Sequence, residues 1–169
     1  MAIFHPDELH RVDWDLLQNG PITMYHRLDL LSCDVQWLVD NHYLVYMLSA
    51  TDWHNKDMAL RAIYEALNLR RWPDYNLDGF NDDLSDLVIP DESGVVVVLQ
   101  RFDAFAVKQS QAAQALLDIF ADNARTFMLF GKRLIILIQT DDPHLKFDPV
   151  GAISPDWNRG EWLHARRTS

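Results

Sequence analysis

The stretch Trp72–Leu87, WPDYNLDGFNDDLSDL, carries five aspartates and no basic residue. Carboxylates at that density suit three kinds of chemistry. They can coordinate a hard cation, solvate a helix face, or present anionic oxygens where another protein expects the phosphates of nucleic acid. The cation reading rests on Asp74-Tyr75-Asn76-Leu77-Asp78-Gly79, which matches the first half of an EF-hand loop, D-x-N-x-D-G. Calcium takes about six to eight oxygens, and such a loop closes on a bidentate Glu. Here the closing position is Ser85, and the position that is normally aliphatic is Asn81. A magnesium ion on Asp82, Asp83 and Asp86 would draw every carboxylate from one element, whereas catalytic carboxylates come from several. The expectation is no metal, no cofactor and no catalytic residue in this stretch.

The helix reading uses more of the residues. Leu77, Phe80, Leu84, Leu87 and Val88 recur at helical spacing and predict a helix over 77–88. Asn76 can cap it with its side-chain oxygen. Asp78 then lies in the first turn, where the helix dipole favours a carboxylate. Asp78, Asp82 and Asp86 follow at i, i+4 and i+8 and form one stripe. Like charges at that spacing repel by a few tenths of a kcal/mol, on the order of 0.2–0.5 per pair. No Lys or Arg within the segment relieves them. Gly79 weakens the helix by up to about 1 kcal/mol but allows another surface to come close to the backbone. The stripe is slightly unfavourable for folding, which turns attention to binding.

Other chemistry finds little support. Seven histidines are scattered, and no two share the H-x-x-x-H spacing of a metal site. Gly131-Lys132 lacks the rest of a phosphate-binding loop, and no G-x-S-x-G elbow exists. Cys33 is the only cysteine, so an internal disulfide and cysteine-rich metal sites are excluded, in keeping with a reducing cytoplasm. It is expected to be a buried thiol on an apolar helix face.

The elements that must hold the acidic stripe are legible as runs and periods. Val95–Gln100, Leu134–Thr140 and Tyr43–Ser49 are near-continuous apolar runs, the pattern of strands buried on both faces of a parallel sheet. Pro21–His26 is a weaker strand pattern. Helical periods lie between them: Leu28 to Val39, 56–69 after a cap at Asn55, 77–88, and Ala112 to Phe127. Strand and helix mostly alternate, which implies right-handed crossovers. Residues 1–20 show no clear period, and 141–169 read as an extended arm.

With 169 residues and 49% hydrophobic composition the chain can bury one proper core. A net charge of −10 repels nucleic acid and anionic membrane surfaces and attracts basic partners. Trp72–Gln100 alone holds seven acids and no Lys, Arg or His. No apolar run approaches the roughly 20 residues that span a bilayer. The opening residues do not form a signal peptide.

Pro73-Asp74-Tyr75-Asn76-Leu77-Asp78-Gly79-Phe80-Asn81-Asp82-Asp83-Leu84 resembles the signature of the barstar family, intracellular inhibitors of the bacterial ribonuclease barnase. That signature is an aromatic loop, then Asn-Leu-Asp-small-Leu-x-Asp-x-Leu. The chain departs from it at Asp74, where the family has Gly, and at Asn81, where a bulky aromatic is common. The resemblance covers about residues 42–140. It implies an α/β, barstar-like fold of three parallel strands, or four with 21–26, packed by helices and extended at both ends. It sets 43–140 as the barstar-like domain. Residues 1–42 would form an N-terminal extension packed on the core, and 141–169 a C-terminal arm.

The resemblance also implies a role without catalysis: a cytoplasmic inhibitor that plugs the active site of a basic, barnase-type ribonuclease, as in bacterial toxin–immunity pairs. By position, Asp78 and Asp82 match the helix aspartates that enter the enzyme. Trp72 and Tyr75 lie in the contacting loop, and Asp122 matches an acidic contact further along. Asn76, Gly79 and Asp86 complete the expected partner-binding set. The competing expectation is a non-inhibitory interaction module that uses the same fold and its added ends.

Overall fold

Val95–Gln100 and Leu134–Gln139 alternate between two apolar environments, and in the computed structural model they form the middle of one parallel sheet. The structure describes residues 11–70 and 75–161. In chain order the elements are α1 (Val12–Gln18), β1 (Ile22–Tyr25), α2 (Leu28–Asp40), β2 (Leu44–Ser49), α3 (Lys56–Leu67) and α4 (Leu77–Ser85). They continue with β3 (Val95–Gln100), α5 (Phe102–Lys108), α6 (Ser110–Leu129), β4 (Leu134–Gln139) and β5 (Asp156–Trp157). The strand order is β2-β3-β4-β1-β5, and every pairing is parallel.

The period-two geometry of a strand sends successive side chains to opposite faces. Val95, Val97, Leu99, Ile136 and Ile138 point to the face covered by α3 to α6. Val96, Val98, Ile135 and Leu137 point to the face covered by α1 and α2, where they meet Tyr25, Leu31 and Leu38. Both faces are therefore dry, which is why these strands read as unbroken apolar runs. The strands β2, β3 and β4 crowd together where they begin. A Cβ on Gly94 would lie 2.6 Å from the Arg133 carbonyl oxygen and 2.7 Å from the Tyr43 ring, so only glycine fits there.

The N-terminal elements are bonded to the sheet as well as packed on it. The Asp13 carboxylate of α1 is fully buried. It accepts hydrogen bonds from the Arg11 guanidinium (2.7 Å), the Tyr43 hydroxyl (2.6 Å) and Arg133 Nη1 (2.9 Å). Burial alone would push its pKa up, but the hydrogen bonds from Arg11 and Tyr43 and the nearby Arg11 charge outweigh that and hold it below the usual carboxylate value. The C-terminal segment is tied in as firmly. Asn158 donates its backbone N–H to Met24 O (2.8 Å), and its side chain donates to Tyr25 Oη and Asp34. Glu161 accepts the backbone N–H groups of His26 and Arg27, each at 2.9 Å.

Several expectations need correction. The helix expected over 77–88 stops at Ser85. Ser85 Oγ donates to the Asp82 carbonyl (2.6 Å), and tight turns from Asp86 N to Asp83 O and from Leu87 N to Leu84 O close the end. Val88 is 84% exposed instead of completing an apolar stripe. Residues 12–18 are helical although no period was visible, α5 precedes the long helix, and the arm contributes β5. Cys33 is exposed, not buried. At about 100° per residue it falls opposite the buried Leu31 and Leu38 of α2. Among the described residues, no helix is long and apolar enough to cross a membrane.

Candidate partner-binding face

Helix α4 starts where Asn76 accepts the Gly79 N–H on its Oδ1 at 2.7 Å, the cap its position predicts. Helical backbone from Leu77 onward commits this segment to the helix reading and leaves no calcium loop over the same residues. Phe80 and Leu84 are fully buried and define the inner line of the helix. Phe80 meets Phe120 of α6 and Tyr64 of α3 at ring-centroid distances of 5.4 and 5.9 Å. Asp82 points the other way, almost opposite that line, with Asp78 and Asp86 beside it. All three are exposed. Among the described residues no ion pair or side-chain hydrogen bond joins them.

The stripe runs against the helix dipole. Asp78 sits in the first turn, where a carboxylate is favoured, but Asp82 and Asp83 lie in the last turn, Asp86 is the C-cap, and that turn holds no basic residue. Electrostatics within the helix would expel charge from this end, and tertiary contacts hold it there.

Two side-chain hydrogen bonds flank Asp82 and fix the azimuth of the helix. On one side Asn123 of α6 donates Nδ2 to Asn81 Oδ1 at 2.9 Å, and also to the Ile119 carbonyl at 2.9 Å. Asn123 is buried, so these bonds replace water it has lost. On the other side the Tyr64 hydroxyl of α3 donates to Asp83 Oδ2 at 2.9 Å. Burial, then the hydrogen bond to Asp83, pushes the Tyr64 pKa up, so it remains a protonated donor. Neither pair was expected from the sequence. The available signal was Asn123, a polar residue inside the otherwise apolar stripe of α6.

The remaining expected residues are placed as follows. Tyr75 is half-buried and stands edge-on to Tyr64 at 5.4 Å, so one side of its ring belongs to the core. Gly79 is half-buried in the first turn, and a Cβ there would lie 3.3 Å from the capping oxygen of Asn76. Asp122 is exposed on α6 and pairs with Arg125 at 2.9 Å. Arg125 also donates to the Val150 carbonyl. Asp122 thus has a cation of its own, which separates it from the stripe on α4. Trp72 and Asp74 lie outside the described residues. Among the described residues no group of three or more His, Cys, Asp or Glu side chains could hold a metal ion.

A rigid, outward row of carboxylates can accept several charge-assisted hydrogen bonds from a partner's Arg, Lys or His. Among solved structures, the Walker-type ATPase PABY2304 of Pyrococcus abyssi aligns with 10% identity and a TM-score of 0.47, over 89% of this chain and 53% of that one. The chain therefore spans about half the length of that protein. No curated protein matches the chain. A family model for Barstar (barnase inhibitor) matches residues 43–139, which include β2 to β4 and the whole of α4. Since that match spans more than half of its length, the chain belongs to the Barstar (barnase inhibitor) family.

Proposed function

We propose that the chain is a cytoplasmic protein inhibitor of a basic, barnase-type ribonuclease and has no catalysis of its own. The barnase-inhibitor role of the family supports this reading, and one observation carries it here. Asp78, Asp82 and Asp86 stand exposed, with no ion pair among the described residues, along a helix whose flanks are bonded to the core at Asn81 and Asp83. A ribonuclease holds the phosphate of its substrate with Arg, Lys and His. The Asp78 and Asp82 carboxylates would take those hydrogen bonds and block RNA, with Tyr75 and the Trp72 loop alongside. Because the helix is already ordered, binding would lose little further side-chain and backbone freedom. The surrounding negative charge would speed encounter with a basic enzyme and make the rate fall with salt. The handling of phosphate-like charge would lie within 43–140, while residues of 11–42 and 141–161 pack into the core around it.

The test is a turnover assay with a barnase-type ribonuclease. The expected outcome is stoichiometric loss of RNA cleavage that weakens as salt rises, with Asp82→Ala far weaker than the native chain while its melting temperature is retained. Equal inhibition by the native chain and Asp82→Ala would overturn the reading. Self-association that persists after the three stripe carboxylates are neutralised, with no inhibition, would favour an interaction module instead.

A further inference from the structure

One edge of the sheet is open. β2 pairs with β3 on one side, and among the described residues no strand pairs with its other side. The bonds Leu44 N to Gly94 O (3.0 Å) and Ala50 N to Gln100 O (2.8 Å) set the phase of the ladder. Even-numbered residues turn their N–H and C=O toward β3, so those of Val45, Met47 and Ser49 turn outward. Natural proteins protect such edges with charged residues, proline, bulges or a covering element, since an unpaired edge is a template for another strand. Leu44–Ser49, LVYMLS, has no charge, no proline and no bulge, and Leu44 and Met47 are 43% and 54% exposed. Beside the edge lies a groove of about 480 Å³ between β2, the end of α3 and the end of α4. Leu44, Tyr46, Leu69 and Val88 give it an apolar floor and rim, and Asp83 and Asp86 outnumber Arg70 among its charged lining residues. Asp40 and Asp52, both exposed, stand just before and after the strand.

We propose that the open edge of β2 and its groove form a docking site for an extended segment of a basic protein, which adds as a sixth strand with aliphatic side chains alternating with Lys or Arg. The outward backbone groups would supply the pairing, and the groove would select the side chains, as in other cases of strand addition. Charge selects the occupant. A second copy of this chain would bring the same carboxylates and another net charge of −10. Three outward residues on a six-residue strand also bury far less than the roughly 800 Å² per partner that a stable dimer needs. A basic segment meets the opposite sign and can bind weakly through a short edge. This site is centred on β2 and shares Asp86 with the stripe but neither Asp78 nor Asp82, so variants at those two residues test the inhibitory reading apart from it.

The probe is a synthetic alternating Lys–Val peptide titrated into the full chain, with backbone amides followed by NMR. The expected result is perturbation and slowed exchange of the Val45, Met47 and Ser49 amides, with affinity falling about tenfold in Met47→Lys, whose added charge guards the edge. Val45→Pro, which removes an outward N–H that the sheet does not use, should weaken the peptide similarly. Far-ultraviolet circular dichroism would confirm that both variants remain folded. The proposal is overturned by absence of binding, by perturbation confined to Asp78 and Asp82, or by equal binding of a Glu–Val peptide. Dimerisation of the chain alone through this edge would also overturn the choice of occupant.

Discussion

Asp82→Lys should raise stability and abolish binding, and the opposite signs separate a binding site from a structural one. Asp82 lies in the last turn of α4, exposed, four residues from Asp78 and four from Asp86. The substitution removes two repulsive i,i+4 pairs and creates two attractive ones, each contribution being on the order of 0.2–0.5 kcal/mol. It also places a cation where the helix dipole favours one, by about 0.3–1 kcal/mol at an exposed site. Discounting for screening leaves a gain of about 1 kcal/mol at low salt, shrinking as salt rises. Urea unfolding should show a higher midpoint with an unchanged m-value, as expected when stability changes without a change in exposed surface. In the ribonuclease assay the same variant should lose inhibition altogether, since it presents a cation to a cationic cleft. A destabilised variant, or a stabilisation that does not respond to salt, would refute the argument that the stripe opposes folding. Retained inhibition would refute its role in binding.

Three further outcomes follow from named contacts. Asn123→Ala removes the donor to Asn81 and should weaken ribonuclease binding about tenfold at a temperature where the variant is fully folded; a shifted melting temperature with unchanged affinity would make Asn123 merely structural. Asp13→Asn should cost about 2–4 kcal/mol in urea unfolding at neutral pH, less than a fully buried pair because Arg11 and Arg133 are 39% and 24% exposed. A carboxyl held below its unfolded value stabilises the fold above that value, and the contribution disappears as pH falls through the folded value. The native chain should therefore lose stability below about pH 4 more steeply than Asp13→Asn. A chain lacking residues 1–42 exposes Val96, Val98, Ile135 and Leu137, worth about 1.5–3 kcal/mol each, and so should bind a hydrophobic dye and lose cooperative unfolding.

The parts of the fold that were legible are those where one physical rule acts alone. Val95–Gln100 and Leu134–Thr140 have the pattern of strands buried on both faces, and they lie at the centre of the sheet. Asn76 announced its helix because a capping side chain acts within three residues. The elements that escaped notice are set by distant partners. α1 has only seven residues and is fixed by Asp13 reaching Tyr43 and Arg133. β5 is two residues held by Met24 and by Asn158. The acidic stripe was visible as spacing, but its rigidity was not. That depends on Asn81 meeting Asn123 across 42 positions and on Tyr64 meeting Asp83, and no local pattern encodes either encounter. Cys33 neighbours the apolar residues of α2 in sequence but lies at the opposite azimuth, and sequence adjacency alone does not separate the two.

The sheet ends differently at its two margins. On the far side β5 is a two-residue cap flanked by Pro155, with no length left to receive a neighbour. A protein with two receptive margins can be strung into an endless ribbon, each molecule templating the next. Among the described residues only the β2 margin is long enough to receive a strand, so copies of this chain could pair edge to edge once but could not be strung through both margins. An unguarded strand at one margin alone does not by itself seed fibres.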